Sequence, residues 1–107
     1  MAFAAALLTS GANAQVFIDN TIDIPTSGSA NNSSSENVDF GDVDLDGDWD
    51  AVFADGGDEG NDQNRIWINQ GGLQSGLVGS FVDNTSTRFP QIQQTGRDIE
   101  FVDLDDD

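Results

Sequence analysis

The residues with the clearest chemistry are five aspartates at alternate positions: Asp42, Asp44, Asp46, Asp48 and Asp50. Carboxylates this close repel one another at neutral pH, so a compact loop of this composition needs a cation among them. Oxygen ligands suit a hard divalent ion, and calcium accepts six to eight of them. The spacing therefore predicts a calcium-binding loop.

The loop departs from the calcium loop that joins two helices. That pattern requires acidic or amide residues at positions one, three and five, glycine at six and a bidentate glutamate at twelve. The early positions match through Gly47, but position twelve is Phe53. Asp50, at position nine, can supply the missing carboxylate, and the apolar run 51–55 is typical of a strand. We therefore expect a calcium loop between two strands, with a positive φ angle at Gly47.

The residues around this loop resemble a known repeat family. Val38 to Gly41 (VDFG), the D-x-D-x-D-G-D-x-D loop and the apolar strand after it are similar to the FG-GAP/VCBS repeat. The resemblance covers about residues 15–107 and implies the calcium-bearing blades of an integrin α-like β-propeller. It also implies that Asp48 binds calcium through its backbone carbonyl, whereas the other four aspartates bind through their side chains.

Two sequence blocks recur in the same order. Residues 17–21 (FIDNT) recur 64 residues later as 81–85 (FVDNT), and residues 38–46 recur 61 residues later as 99–107. Recurrence of this kind indicates an array of similar supersecondary units. It predicts a second set of calcium ligands: Asp103, Asp105 and Asp107. Because the sequence ends within that second loop, we expect it to be an N-terminal fragment.

The resemblance implies an all-β fold of β-propeller blades, each a four-stranded antiparallel sheet, and the recurring blocks indicate about one and a half such units in this sequence. Residues 15–37 are expected to form an outer strand, over 16–24, and a linker rich in Ser, Asn and Gly. Residues 38–85 are expected to form a complete repeat. Residues 86–107 are expected to begin a second, truncated repeat.

Strands within the complete repeat are expected at 38–41, 51–55, 64–69 and 78–83. In the third strand, Ile66 and Ile68 share one face and Trp67 takes the other. In the loop, the alternation turns Val43, Leu45 and Trp49 towards packing. The two tryptophans are expected between blades, and a sugar-stacking platform is the alternative. The acids after the second strand are expected to form a solvated face: Asp55, Asp58, Glu59 and Asp62.

Residues 1–14 are expected to be an export signal. Residues 3–8 form an apolar core, and Ala12-Asn13-Ala14 is a small-x-small cleavage site that would leave Gln15 first. The basic start typical of such signals is missing, and an apolar strand or a disordered tag remains the alternative. The segment is too short to span a bilayer. It predicts a secreted or cell-surface protein without a membrane span.

The composition narrows the possible functions. Twenty acidic and three basic residues give a formal net charge of −17, which argues against a nucleic-acid partner and against an anionic membrane surface. The acidity also suits a salt-rich environment, where ions screen self-repulsion. The sequence has no Cys, His, Lys or Tyr, which removes thiolate and imidazole metal ligands and the usual general bases.

The sequence predicts a non-catalytic, calcium-stabilised propeller module used in adhesion or ligand recognition, with a protein or carbohydrate ligand. The alternative is a scaffold or accessory domain of a secreted enzyme, such as a polysaccharide-degrading protein whose catalytic part lies elsewhere. No catalytic set is recognisable in these residues, so we expect this chain itself not to be an enzyme. A helical calcium module of the dockerin kind is disfavoured by the strand-like flanks of the loop.

Overall fold

The computed structural model describes residues 19–26, 33–57 and 61–104. The fold is all-β, with antiparallel sheets and little helix. Its strands are β1 (Ser35–Gly41), β2 (Asp50–Asp55), β3 (Asp62–Gln63), β4 (Arg65–Asn69), β5 (Phe81–Asp83) and β6 (Gln93–Gln94). The described helical segments are α1 (Thr85–Arg88) and the 3₁₀ turns Thr21–Asp23 and Gly72–Gln74. The expected export signal lies outside the described residues.

A four-stranded antiparallel sheet in the order β1-β2-β4-β5 forms the centre of the molecule. The short β3 lies between β2 and β4 in the chain and pairs with β6 in a separate two-stranded sheet. The strands predicted at 38–41, 51–55 and 64–69 are confirmed. β1 begins earlier than expected, at Ser35, inside the segment that the sequence predicted as a linker.

Two predicted strands differ from the structure. The strand expected over 78–83 is limited to β5, because a turn precedes it: the Ser80 N–H donates to the Leu77 carbonyl (3.1 Å). The strand expected over 16–24 is wrong for its described part, where Thr21–Asp23 form a 3₁₀ turn. The side chain of Asp19 accepts a hydrogen bond from the Thr21 N–H (2.9 Å), a local interaction that favours a turn over a strand.

The core lies on one face of the sheet. Val52 is paired with Ile66, and both are buried together with Ile68. Partly buried side chains cover this group: Val43, Phe89 and Ile99. On the opposite face, the Phe53 and Trp67 rings are in contact, with centroids 4.4 Å apart. The predicted division of β4 between the two faces is therefore confirmed.

The segment after β6 returns to the first strand. The Asn37 side chain donates to Asp98 (2.6 Å), and the Phe101 N–H donates to Asp39 (2.7 Å). The Phe101 ring lies against Gly41, where an added Cβ atom would come within 2.6 Å of it. The chain that begins the expected second repeat therefore packs against the first strand of the complete repeat.

A buried ion pair holds the far end of β2. Asp55 is fully buried, and its Oδ2 lies 3.3 Å from Nε of the equally buried Arg65. Ser35 donates to the other oxygen of Asp55 (2.6 Å), and Asp62 lies 3.7 Å from the same guanidinium. The expectation of a solvated face is wrong for Asp55, because the pairing of Phe53 with Arg65 places the guanidinium on the same face. Asp58 and Glu59 lie outside the described residues.

Candidate metal centre

The β1–β2 loop folds back on itself around a carboxylate. The N–H groups of Asp46 and Gly47 donate to the two oxygens of Asp42 (3.0 and 2.8 Å). Gly47 has a φ angle of 94°, as predicted, and Leu45 also has a positive φ, of 59°. The expected packing of Val43 is confirmed, because this residue lies against the buried core. The expected packing of Leu45 and Trp49 is wrong, since their side chains are 78% and 68% exposed. The left-handed backbone at Leu45 interrupts the strand-like alternation on which that expectation depended.

Three of the predicted ligands meet at the end of the hairpin. Asp42, Asp44 and Asp50 each offer one carboxylate oxygen, and these oxygens all lie within 4.8 Å of one another. Ligands on opposite sides of a calcium ion lie about 5 Å apart, because each calcium–oxygen distance is about 2.4 Å. The three carboxylates can therefore bind the same ion.

Asp50 is the best-anchored member of this group. It is fully buried at the first position of β2. One oxygen accepts the N–H of Asn69 from β4, and the other accepts the N–H of Val43 from the loop, both at 2.9 Å. Its carboxylate thus connects the loop, β2 and β4. An ion bound to Asp50 would be tied directly to the sheet.

The other two aspartates of the loop face the β4–β5 connection. The Asp46 carboxylate accepts N–H groups from Leu73 (2.8 Å) and Asp48 (3.2 Å), and it contacts the carboxyl groups of Asp44 and Asp48. The side chain of Asp48 is only 8% exposed and lies against Gly71. Both aspartates are therefore adjacent to the group of three rather than members of it.

Sequence reasoning missed the residues that surround the loop from elsewhere in the chain. The Gln74 side chain donates to Asp44 Oδ2 (2.5 Å), and the guanidinium of Arg88 lies 4.0 Å from the same oxygen. The backbone of Asn69 and Leu73 contributes the contacts described above. These partners are 19 to 30 residues away from the aspartates they contact through hydrogen bonds, so no local pattern could have identified them.

Crowding of the carboxylates is visible in their pKa values. Burial, a hydrogen bond with Asp46 and the charges of Asp46, Asp50 and Asp44 raise the pKa of Asp48 to about 6. Burial also raises the pKa of Asp50, against the two N–H groups that stabilise its charge. For Asp46, burial is outweighed by the hydrogen bonds it accepts, and its pKa is lowered. Without an ion, Asp48 and Asp50 therefore bind a proton more tightly than an ordinary aspartate, whereas Asp46 stays ionised to a lower pH.

Several buried oxygens beside the cluster lack a hydrogen bond. Within the described part of the chain, four buried oxygens accept no N–H group and no hydroxyl group: Asp44 Oδ1, both oxygens of Asp48 and Gln74 Oε1. The contact of Asp48 with the Asp46 carboxyl group becomes a hydrogen bond only when one of the two is protonated. All four are acceptors. Buried acceptors without donors are costly, and a cation would satisfy them. The residues thus fit a hard divalent cation held by oxygen ligands.

Of the predicted second set of ligands, Asp103 lies within the described residues and is not part of this group. Asp103 is exposed, and it lines a groove that Asp42 and Phe101 also line. Asp105 and Asp107 lie outside the described residues. The second calcium loop therefore stays a prediction.

No protein-family model matches the chain, and no curated protein or solved structure matches it. The resemblance to the FG-GAP/VCBS repeat accordingly stays a prediction from the residues. In the segments that the structure describes, no helix is long and apolar enough to cross a membrane.

Proposed function

We propose that this chain is a calcium-stabilised repeat unit of the β-propeller kind, in an exported or cell-surface protein that acts in adhesion or ligand recognition. The observation that carries the proposal is the meeting of Asp42, Asp44 and Asp50 at the end of the β1–β2 hairpin. The ion neutralises the crowded carboxylates and, through Asp50, joins the loop to β2 and β4. Its role is structural, so its binding free energy stabilises the fold.

Calcium is the ion that this set of residues favours. The available side-chain ligands are carboxylate and amide oxygens, which hard cations prefer. Magnesium requires a near-ideal octahedron at about 2.1 Å, whereas calcium tolerates an irregular set of ligands. Extracellular calcium modules have dissociation constants of about 10⁻⁴ to 10⁻³ M. We expect an affinity in that range.

Two features support an array of repeated units. Residues 98–101 contact β1 through partners 61 and 62 residues apart in sequence, and this spacing matches that of the repeated blocks. The face of the sheet opposite the core carries Val38, Phe40 and the Phe53–Trp67 pair, with Phe40 49% exposed. In the proposed array, a neighbouring unit covers this apolar face.

Calcium titration of the complete chain by isothermal calorimetry tests the proposal, with magnesium as the competing ion. We expect about one calcium ion at the hairpin with a millimolar or tighter dissociation constant, and weaker binding of magnesium. Asp44→Asn should weaken calcium binding by about 100-fold, since it removes a charged ligand. Glu100→Gln removes an exposed carboxylate outside the cluster and is the matched control. Equal losses in both variants, or no binding by the unchanged chain, would exclude the site.

A further inference from the structure

The β4–β5 connection is held against the acidic loop at a defined position. The Leu73 N–H donates to Asp46 Oδ2 (2.8 Å), 27 residues away in sequence. Gly72, with a φ angle of 50°, lets the backbone approach so closely that a Cβ atom there would collide with the Asp46 carboxyl group. The hydrogen bond of Leu73 places the side chain of the following residue, Gln74, beside Asp44. The side chain of Gln74 is therefore brought to the cluster by the fold.

Of the two polar atoms in the Gln74 side-chain amide, only the nitrogen makes a hydrogen bond within the described residues. Its Nε2 donates to Asp44 Oδ2 (2.5 Å), whereas its Oε1 is buried without a hydrogen-bond partner within the described residues. The second oxygen of Asp44 is in the same situation. Asp48, 8% exposed and next to the same connection, adds two more buried oxygens that accept no N–H group and no hydroxyl group within the described residues. The unsatisfied atoms on this side of the cluster are all oxygens.

We propose that Gln74 is a ligand of the calcium ion, through its side-chain oxygen, and so extends the site from the β1–β2 loop to the β4–β5 connection. The proposal rests on the calcium site argued above. Amide carbonyl oxygens are ordinary calcium ligands. Rotation of the amide by about half a turn exchanges Oε1 and Nε2, because this terminal torsion is broadly two-fold. Without an ion, the N–H faces Asp44, since two oxygens would repel. When the ion is bound, Oε1 of Gln74 occupies the position of Nε2 and faces the ion.

This geometry makes the site dependent on residues far apart in the chain. A loop that binds calcium by itself would have the same affinity whatever the β4–β5 connection contributes. A site completed by Gln74 joins β1, β2, β4 and the connection to β5 around one ion. Calcium then stabilises the whole four-stranded sheet rather than a single hairpin.

The Gln74→Glu variant distinguishes two roles of Gln74, calcium ligand or hydrogen-bond donor only, because they predict opposite changes in calcium affinity. If Gln74 binds the ion, a carboxylate at this position should tighten calcium binding by about tenfold, because ligand charge tunes affinity. If Gln74 only donates an N–H to Asp44, the same change removes the donor, sets two carboxylates against each other and weakens binding. Gln74→Leu should weaken calcium binding by about tenfold.

Gln70→Glu is the matched control, because it adds the same charge to the same connection. The Gln70 side chain donates to the Ile68 carbonyl (2.9 Å) and not to an aspartate. Calorimetry on the complete chain should give tighter binding for Gln74→Glu than for Gln70→Glu. Weaker binding by Gln74→Glu, or equal affinities of the two variants, would overturn the proposal for Gln74 and leave the calcium site intact. Absence of calcium binding by the unchanged chain would overturn both.

Nuclear magnetic resonance on the unchanged chain tests the same proposal without a substitution. The side-chain N–H signals of Gln74 report the hydrogen bond to Asp44. Calcium should shift them upfield, since the amide turns its N–H groups away from the carboxylate. Unchanged shifts at saturating calcium would show that the amide keeps its orientation and would contradict the proposal.

Discussion

The two ends of β2 differ in how the charge of a buried aspartate is stabilised. Each end carries a fully buried aspartate, Asp50 at the first position and Asp55 at the last. Asp55 is neutralised inside the chain, by the buried guanidinium of Arg65 at 3.3 Å. Asp50 lies instead among other carboxylates and is stabilised by two backbone N–H groups. One end of the strand thus has a counter-charge from the chain itself, and the other end carries a cluster that could hold a metal ion.

Because of this difference, the two ends of β2 should differ in how their contribution to stability depends on the ions in solution. The ion pair at Asp55 is present whatever the solution contains. In the calcium site proposed above, the contribution of the cluster at Asp50 depends on the ion concentration c, because a ligand that binds only the folded state stabilises it by RT ln(1 + c/Kd). Under this proposal, the end of β2 at Asp55 is insensitive to calcium and the end at Asp50 is stabilised by it. Substitutions at the two ends should separate these effects.

Arg65→Met should have the largest effect. It leaves the Asp55 carboxylate buried without a counter-charge, and breaking a buried pair in this way costs about 3–5 kcal/mol. Urea denaturation should show this loss with and without calcium, because the pair lies at the end of β2 away from the cluster. Arg88→Met is the control: its guanidinium is 37% exposed, so its loss should cost less than about 1 kcal/mol. A loss for Arg65→Met that disappears in calcium would contradict the independence of the two ends.

Asp44→Asn should have the next largest effect, and only in the presence of calcium. At a calcium concentration of about 100 times the dissociation constant, the unchanged chain should gain about 2.7 kcal/mol of stability. The variant should lose most of this gain. Without calcium, it should be as stable as the unchanged chain or slightly more so, because one of the mutually repelling charges is gone. Thermal unfolding in calcium and in chelator measures both quantities. Equal destabilisation in both solutions would indicate an ordinary structural role for Asp44.

The sequence was a good guide to strands whose alternation is set by local residues. Ile66, Trp67 and Ile68 divide between the two faces of β4 as predicted, because side chains alternate in any strand. Gly47 also has the predicted positive φ angle. For Leu45 the local pattern was misleading, since its own left-handed backbone interrupts the alternation. Periodicity therefore predicted the strands and the packing of Val43, and it failed later in the loop, at Leu45 and Trp49.

The surroundings of the candidate site could not be predicted, because they depend on strand register. The pairing of β2 with β4 sets Asp55 beside Arg65 and Asp50 beside Asn69. A shift by one residue would exchange the faces and separate both pairs. Gln74 reaches Asp44 only through a connection that folds back onto the loop. The identity of the aspartates was readable from their spacing, whereas their partners required the tertiary structure.

Asp48 should make both the stability of the chain and the affinity of the proposed calcium site sensitive to pH. Its pKa is raised from an ordinary value of 3.8 to about 6, so the folded chain holds this proton more tightly than the unfolded chain. Without calcium, the resulting stabilisation is complete below about pH 4 and is lost as the pH rises through about 6. The charge of a calcium ion beside Asp48 favours the ionised carboxylate, so calcium affinity should fall as the pH drops below about 6. The fall should be smaller than the roughly tenfold per pH unit of a ligand that must lose its proton to bind.

Calorimetric titrations between pH 5 and 7.5, together with thermal unfolding in chelator, measure both trends. Asp48→Asn should flatten both, because the side chain no longer titrates. Asp83→Asn replaces a carboxylate of β5 that accepts the N–H of Thr85, and it should leave both trends unchanged. A pH dependence that persists in Asp48→Asn would assign the proton to another carboxylate of the cluster.

Arg88→Gln should have the smallest effect and the opposite sign to the substitutions of ligands. The guanidinium lies 4.0 Å from Asp44 Oδ2, where it partly neutralises the cluster when no ion is bound and repels an ion that arrives. Its removal should tighten calcium binding by about two- to fivefold at low salt, and the gain should shrink as salt screens the exposed charge. Arg88→Lys keeps the charge and should bind calcium like the unchanged chain. A loss of packing can only weaken calcium binding. Tighter binding by Arg88→Gln, with unchanged binding by Arg88→Lys, would therefore show that the Arg88 charge competes with the ion. Weaker binding by Arg88→Gln would show instead that Arg88 supports the fold of the site.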